Sequence, residues 1–316
     1  MGGKTGKLRS KRLKRRSCMA ADKEKIGFIG LGAMGIPMSR RLIQAGFHVI
    51  GFDVRPEAVK AFVQNGGEAA ASIKDAAAKC RKVITIVPNS DAVDQVVSGP
   101  QGLLEGVRSG DIVIEMTSAY PPSTLKIHKL LSDRGVSMID APVSGGVIGA
   151  EAGTLSIMVG GEESIFQTCR PILSAMGKNL FYMGAIGSGH AMKAINNFCS
   201  ATTLAATSEA MIMAEKVGLS PQRVVEVMAV STGRSYSTEL KVPKFILPRT
   251  FNSGFAMDLM YKDIDTVTRM AKEYKVPMFL ANMVQQLYGY AMAQGAGKGD
   301  HTLIFQYLED LAKSKK

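Results

Sequence analysis

Six residues, Gly30-Leu31-Gly32-Ala33-Met34-Gly35, constrain this chain more than any other stretch. The spacing G-x-G-x-x-G means little alone; its setting gives it force. The apolar run 26–29 reads as a strand that stops at the first glycine. Residues 36–45 read as an amphipathic helix, and His48 to Phe52 as a second strand that ends at Asp53. A strand that turns sharply at Gly30, bares its backbone at Gly32 and lets a helix pack closely at Gly35 aims free N–H groups and a helix dipole at one point. That point suits a pyrophosphate. Asp53 follows Gly30 by 23 residues, near the spacing of about 20 at which an acid receives ribose hydroxyls. Its charge repels a 2′-phosphate, so the expected ligand is NAD. Arg55 can pair with a phosphate, which leaves NADP open.

The same alternation continues down the chain. Residues 56–64 read as a helix with Pro56 in its first turn. Residues 83–87 form a β-branched strand stopped by Pro88, followed by a helix over 91–97 with Ser90 as N-cap. Strands follow at 112–114, 137–140 and 155–159, with a helix at 122–133 between the first two. This order indicates an α/β fold, a Rossmann-type, doubly wound parallel sheet with right-handed crossovers. After residue 187 the texture changes to helical segments at 191–217, from Pro221, and at 258–274, 277–294 and 301–312. The expected organisation is a disordered basic tail over 1–24, a dinucleotide-binding domain over 25–187, and an all-α C-terminal domain over 188–316 that begins with a long interdomain helix.

With 316 residues, 46% hydrophobic and 21% charged, the chain has room for two cores. Its net charge is +12, but eight of the cations (Lys4, Lys7, Arg9, Lys11, Arg12, Lys14, Arg15, Arg16) fall in residues 1–18, where there is no acid. The basic character therefore belongs mostly to a tail. The expectation is an extension without function; the competing reading is a nucleic-acid-binding arm on a non-catalytic dinucleotide module. No apolar run approaches the roughly 18 residues of a membrane span, and no apolar segment follows the basic start as in a signal peptide. Cys18, Cys80, Cys169 and Cys199 are scattered, as are the four His. No disulfide framework and no metal are expected, and the cytoplasm is the expected compartment.

Three further motifs join the glycine turn, whose continuation is Ile36-Pro37-Met38. They are Asp140-Ala141-Pro142-Val143-Ser144-Gly145-Gly146, then Gly187-Ser188-Gly189-His190-Ala191-Met192-Lys193-Ala194-Ile195-Asn196-Asn197, then Phe255-Ala256-Met257-Asp258-Leu259 with Lys262-Asp263. In this order and spacing the chain resembles the β-hydroxyacid dehydrogenase family over residues 25–313. The resemblance implies hydride transfer between NAD(H) and a small 3-hydroxyacid or its semialdehyde, with 2-(hydroxymethyl)glutarate, 3-hydroxyisobutyrate and tartronate semialdehyde as candidate substrates. It also implies a homodimer or homotetramer.

Site residues follow from the matched motifs. Lys193 matches the family's catalytic lysine. An ordinary lysine, with a pKa near 10.4, needs desolvation or neighbouring positive charge to serve as acid and base near neutral pH. Asn197 stands one helical turn on and shares its face, so it can orient the lysine or bind the substrate hydroxyl. Ser144, Gly145 and Gly146 follow a strand end and form a candidate carboxylate cradle. Ser144 lacks the elbow of a nucleophilic serine. Val87, Pro88 and Ser118 match positions beside the nicotinamide, and Lys262 matches a lysine near the cofactor. Gly233-Arg234-Ser235-Tyr236 resembles the 2-(hydroxymethyl)glutarate branch, in which Arg234 would hold a second carboxylate bidentately; a plain surface arginine is the alternative.

Overall fold

Short apolar strands and amphipathic helices alternate from Lys25 onward in the computed structural model, which describes residues 23–313. The basic arm, residues 1–22, lies outside the described residues. Glu24, which the sequence reading gave to the tail, is tied to the sheet: its carbonyl accepts from His48 N at 3.0 Å and its carboxylate pairs with Lys82 at 2.5 Å.

The first half runs β1 (Lys25–Ile29), α1 (Gly35–Gln44), β2 (His48–Phe52), α2 (Pro56–Gln64), β3 (Glu68–Ala69), α3 (Ile73–Lys79), β4 (Lys82–Thr85), α4 (Ser90–Ser98) and α5 (Leu103–Gly106). It continues through β5 (Ile112–Glu115), α6 (Pro121–Ser132), β6 (Ser137–Asp140), β7 (Val143–Ser144), α7 (Gly146–Ala152), β8 (Leu155–Gly161), α8 (Glu163–Met176) and β9 (Gly177–Gly184). The strands lie in the order β3-β2-β1-β4-β5-β6-β8-β7, and β9 pairs with β8. Both faces of the sheet are buried. Ile84, Ile114 and Ile139 enter one core with Phe28, Met38 and Phe62, while their neighbours Val83, Val113 and Met138 enter the other with Ile50, Leu103 and Leu131. This period of two across β-branched residues is why the strands form here.

Three details depart from expectation. The sheet is parallel from β3 through β6, but β8 pairs antiparallel with β6 and with β7. Between β6 and β8 the chain turns back through β7 and the seven-residue α7 and has no long crossover. Strand β4 ends at Thr85, because Val87 N donates to the Thr117 hydroxyl at 3.0 Å. The cap of α4 is Asn89, whose side chain accepts from Ala92 N at 2.9 Å; Ser90 Oγ instead accepts from Tyr120 N.

The second half is helical: α9 (Ser188–Lys216), α10 (Pro221–Val230), a π-helix (Ser237–Ile246), α11 (Met257–Glu273), α12 (Phe279–Ala293) and α13 (Ile304–Lys313), with short 3-10 turns at Ala296–Lys298 and His301–Leu303. Leu204, Met211, Val242, Ile246, Met260, Ile264, Tyr288 and Phe305 share its core. Among the described residues no helix is long and apolar enough to cross a membrane.

Candidate active site

The glycine turn has the shape its sequence required. Gly30 sits at φ +97°, and a Cβ there would fall 2.1 Å from the Ile86 carbonyl oxygen. A Cβ on Gly35 would fall 2.0 Å from the Gly30 oxygen. Gly32 differs: a Cβ there would meet only the Arg55 guanidinium, at 3.6 Å. Its missing side chain opens the turn outward, where a phosphate approaches. The N-cap Met34 offers no side-chain acceptor to the first turn of α1. Asp53 closes the turn by accepting from Leu31 N at 2.7 Å, and Arg55 lies against it, Nε to Oδ1 at 3.0 Å. Burial raises the Asp53 pKa, yet the Arg55 and Leu31 donors outweigh it and hold the carboxyl below its ordinary range. These residues fit a nicotinamide dinucleotide. Ala33 is exposed, and Val87, Pro88 and Ser118 lie at the ends of β4 and β5, the edge from which the glycine turn also emerges.

Helix α9 begins against the same edge of the sheet. Asp140, at the end of β6, accepts from Gly187 N at 2.7 Å and from His190 N at 2.8 Å, so a buried carboxylate caps the helix. The fit is close: a Cβ on Gly189 would lie 2.3 Å from the Met158 carbonyl oxygen. His190 is buried, with Nδ1 2.7 Å from Thr124 Oγ1. Its Nε2 faces Glu115 Oε2 at 3.0 Å as an ion pair, out of line for a hydrogen bond. Burial lowers the His190 pKa, but Glu115 and Asp140 together carry it above its ordinary value. The other Glu115 oxygen accepts from Thr117 N at 2.7 Å, and the Thr117 hydroxyl accepts from Val87 N. One polar chain therefore links both loops beside the cofactor turn to the start of α9.

One turn further along α9, Lys193 is 8% exposed. Its Nζ donates to Asn197 Oδ1 at 3.1 Å, as the spacing of four predicted. Asn197 Nδ2 donates to Asp263 Oδ2 at 2.5 Å, and Lys262 Nζ stands 2.9 Å from Asp263 Oδ1. Lys262 also donates to the Ser118 carbonyl, which ties α11 to the loop after β5. Burial pulls the Lys193 pKa down to about 8; Asp263 opposes this and the Lys262 cation adds to it. Asn196 is half-buried and only donates to Asn197 Oδ1, at 3.3 Å.

The structure thus brings Lys193, Asn197, Lys262 and Ser118 into one network. Ser144 ends β7 and Gly145 and Gly146 lead into α7, with Gly145 at φ +129° and Gly146 at φ +61°; none of the three hydrogen-bonds to that network. Arg234 also stays outside: its side chain is 68% exposed and pairs with Glu239 at 3.3 Å. Sequence reasoning gave no role to Asp263, Asp140, His190 or Glu115. The first three lie inside the quoted motifs, so their positions were in view. Among the described residues no group of three or more His, Cys, Asp and Glu could hold a metal ion.

Comparison with known proteins agrees over nearly the whole chain. Residues 25–184 match the family described as the NAD binding domain of 6-phosphogluconate dehydrogenase. Residues 187–308 match that described as NAD-binding of NADP-dependent 3-hydroxyisobutyrate dehydrogenase. The chain is 40% identical to the 2-(hydroxymethyl)glutarate dehydrogenase of Eubacterium barkeri, over 91% of this chain and 95% of the relative. It is 36% identical to the mitochondrial 3-hydroxyisobutyrate dehydrogenase of Rattus norvegicus, over 92% and 88%. The solved structure of Mycobacterium tuberculosis 3-hydroxyisobutyrate dehydrogenase with L-serine superposes with a TM-score of 0.84 at 32% identity, covering 91% of this chain and 99% of that one.

Proposed function

The chain belongs to the β-hydroxyacid dehydrogenases of the 3-hydroxyisobutyrate dehydrogenase type, and on that footing we propose that Lys193 is its general acid and base and that its substrate is a short acid bearing a hydroxymethyl group. The chain is an NAD(P)-dependent 3-hydroxyacid dehydrogenase. Among candidate substrates 2-(hydroxymethyl)glutarate comes first, supported by the 40% identity to an enzyme named for it; 3-hydroxyisobutyrate and tartronate semialdehyde follow.

The observation that carries this reading is a lysine amine that is buried, held at about 8 and hydrogen-bonded to Asn197. A dinucleotide held along the turn Gly30 to Gly35 and at Asp53 would supply a hydride acceptor. In the oxidising direction the free Lys193 amine takes the hydroxyl proton; in the reducing direction the ammonium returns it to the forming alkoxide. Asp263 fixes Asn197, so that Asn197 orients the amine and can donate its second Nδ2 hydrogen to the substrate hydroxyl. Ser144 and the N–H groups of Gly145 and Gly146 would receive the substrate carboxylate, and Lys262 would border the cofactor beside Ser118.

Replacement of Lys193 by Ala should lower kcat by roughly 10²–10⁴-fold and leave NADH binding, followed by fluorescence titration, nearly intact. A variant that retains substantial kcat removes Lys193 from the chemistry. We further propose a homodimer or homotetramer, a state supported by the apolar side chains that α12 exposes.

A further inference from the structure

Lys241, in the π-helix, is a second buried amine that the chemistry above does not use. It is 5% exposed. Its Nζ donates to Ser200 Oγ at 2.8 Å and lies 5.8 Å from the centre of the Tyr236 ring. Among the described residues no carboxylate stands within ion-pairing distance of it. The acid whose charge bears on it is Asp300, and Asp300 is already spent. Its oxygens accept from Ser253 Oγ, Gly254 N, Phe255 N, Thr302 N and Thr302 Oγ1. His301, beside it, is neutral: burial and the Lys241 charge take it down to about 3. Its Nε2 is buried without a hydrogen-bond partner.

The placement of this amine is informative. Lys193, Asn197 and Ser200 follow one another on α9 at intervals of four and three, so they share a face. Lys241 is moored to the far end of that face, and the positive charge of Lys193 bears on it. Two amines set together in a low-dielectric interior, one of them without a counter-ion, strain the fold. Burial accordingly takes Lys241 down to about 8. An anion that reaches it from the Lys193 side relieves the cost.

The geometry points to Lys241 as the residue that receives the second carboxylate of a dicarboxylic 3-hydroxyacid, with the hydroxymethyl end at Lys193. This inference rests on the dehydrogenase reading above and specifies its substrate class. Lys193 and Ser200 are about 10 Å apart along the helix axis. In a five-carbon diacid with a hydroxymethyl group at C2, five bonds of about 1.5 Å separate the hydroxyl oxygen from the far carboxyl carbon. A hydrogen bond of about 2.8 Å at each end brings the greatest reach to roughly 13 Å, enough to cover that rise. A monocarboxylic acid of the 3-hydroxyisobutyrate kind leaves Lys241 without a partner. Lys241 thus does what the sequence suggested for Arg234, whose guanidinium is turned to Glu239.

The test compares kcat/KM for 2-(hydroxymethyl)glutarate and 3-hydroxyisobutyrate in the wild type, Lys241→Met and Lys241→Arg, and titrates the unreactive probes glutarate and butyrate against the enzyme–NADH complex. The wild type should prefer the diacid in both assays. Lys241→Met should cut the diacid-to-monoacid ratio by at least about 30-fold, and Lys241→Arg should restore most of it. A ratio unchanged in Lys241→Met, with both acids still oxidised, overturns the inference and leaves the dehydrogenase reading standing. If neither acid is oxidised while glutarate binding still depends on Lys241, the carboxylate site stands and the dehydrogenase reading falls. Loss of both activities in Lys241→Met with full activity in Lys241→Arg supports a charge requirement, and the glutarate titration then decides whether that charge meets the diacid.

Discussion

An amine whose pKa is near 8 changes its charge within the range where dehydrogenases work, and the two reaction directions need opposite forms of it. Oxidation needs the free amine. With Lys193 at about 8, kcat/KM for hydroxyacid oxidation should climb as pH rises through 8 and level off above it, whereas semialdehyde reduction should decline over the same interval. Parallel pH profiles in the two directions would rule out Lys193 as the titrating group. The lowered value comes from burial, and the sequence allowed that much to be foreseen, because Lys193 opens an apolar helix and Asn197 repeats at the same azimuth. The partner that fixes them, Asp263, lies 66 residues downstream of Asn197, and Lys241 meets Ser200 across 41 residues. No local periodicity reports such meetings. A lysine within an ordinary helical run gives no sign of having lost its water.

Helix α9 owes its position to groups at its first turn. The buried Asp140 carboxylate caps it, and the His190 imidazole packs between Glu115 and Thr124. Asp140, Glu115 and the more distant Lys262 are the charged groups that bear on His190. Its raised pKa fixes the sign of the pH dependence. The stabilisation is complete below the ordinary value of 6.5 and fades as pH rises through the raised one. His190→Gln should therefore cost on the order of 3 kcal/mol in urea unfolding at pH 6, and the deficit should shrink toward pH 9. A deficit that grows with pH would mean that His190 is neutral in the fold. Elements of this kind were legible to different degrees. Strands β2 and β6 and helix α2 stand where their patterns placed them, because both sheet faces are buried and the apolar code is dense. Strand β9, largely exposed at its edge, and the π-helix, interrupted by Pro243, carry no such code and were not foreseen.

At the scale of the molecule, the strand-rich half and the helical half meet along α9, and the polar network of Lys193 reaches the loop after β5 through α11. The order of elements, which implies a doubly wound sheet, was legible in the residues; the reversal of β8 was not, since a short return and a crossover helix look alike over so few residues. Helix α12 leaves Phe279 81% and Met283 68% exposed on one face, a stretch that water disfavours. In light scattering the wild type should run as a dimer or tetramer, and a Phe279→Glu, Met283→Glu double variant should lose mass. A monomeric wild type would show that this face has no second copy to cover it.

The tightest contact described above is also the smallest. At Gly189 the helix lies so close to the Met158 carbonyl that not even a methyl group fits between them. The amine four residues later is thereby held at a distance from the sheet that a hydrogen atom sets. Any thicker residue would act as a wedge, tilting the helix like a lever and carrying Lys193 and Asn197 away from Asp263.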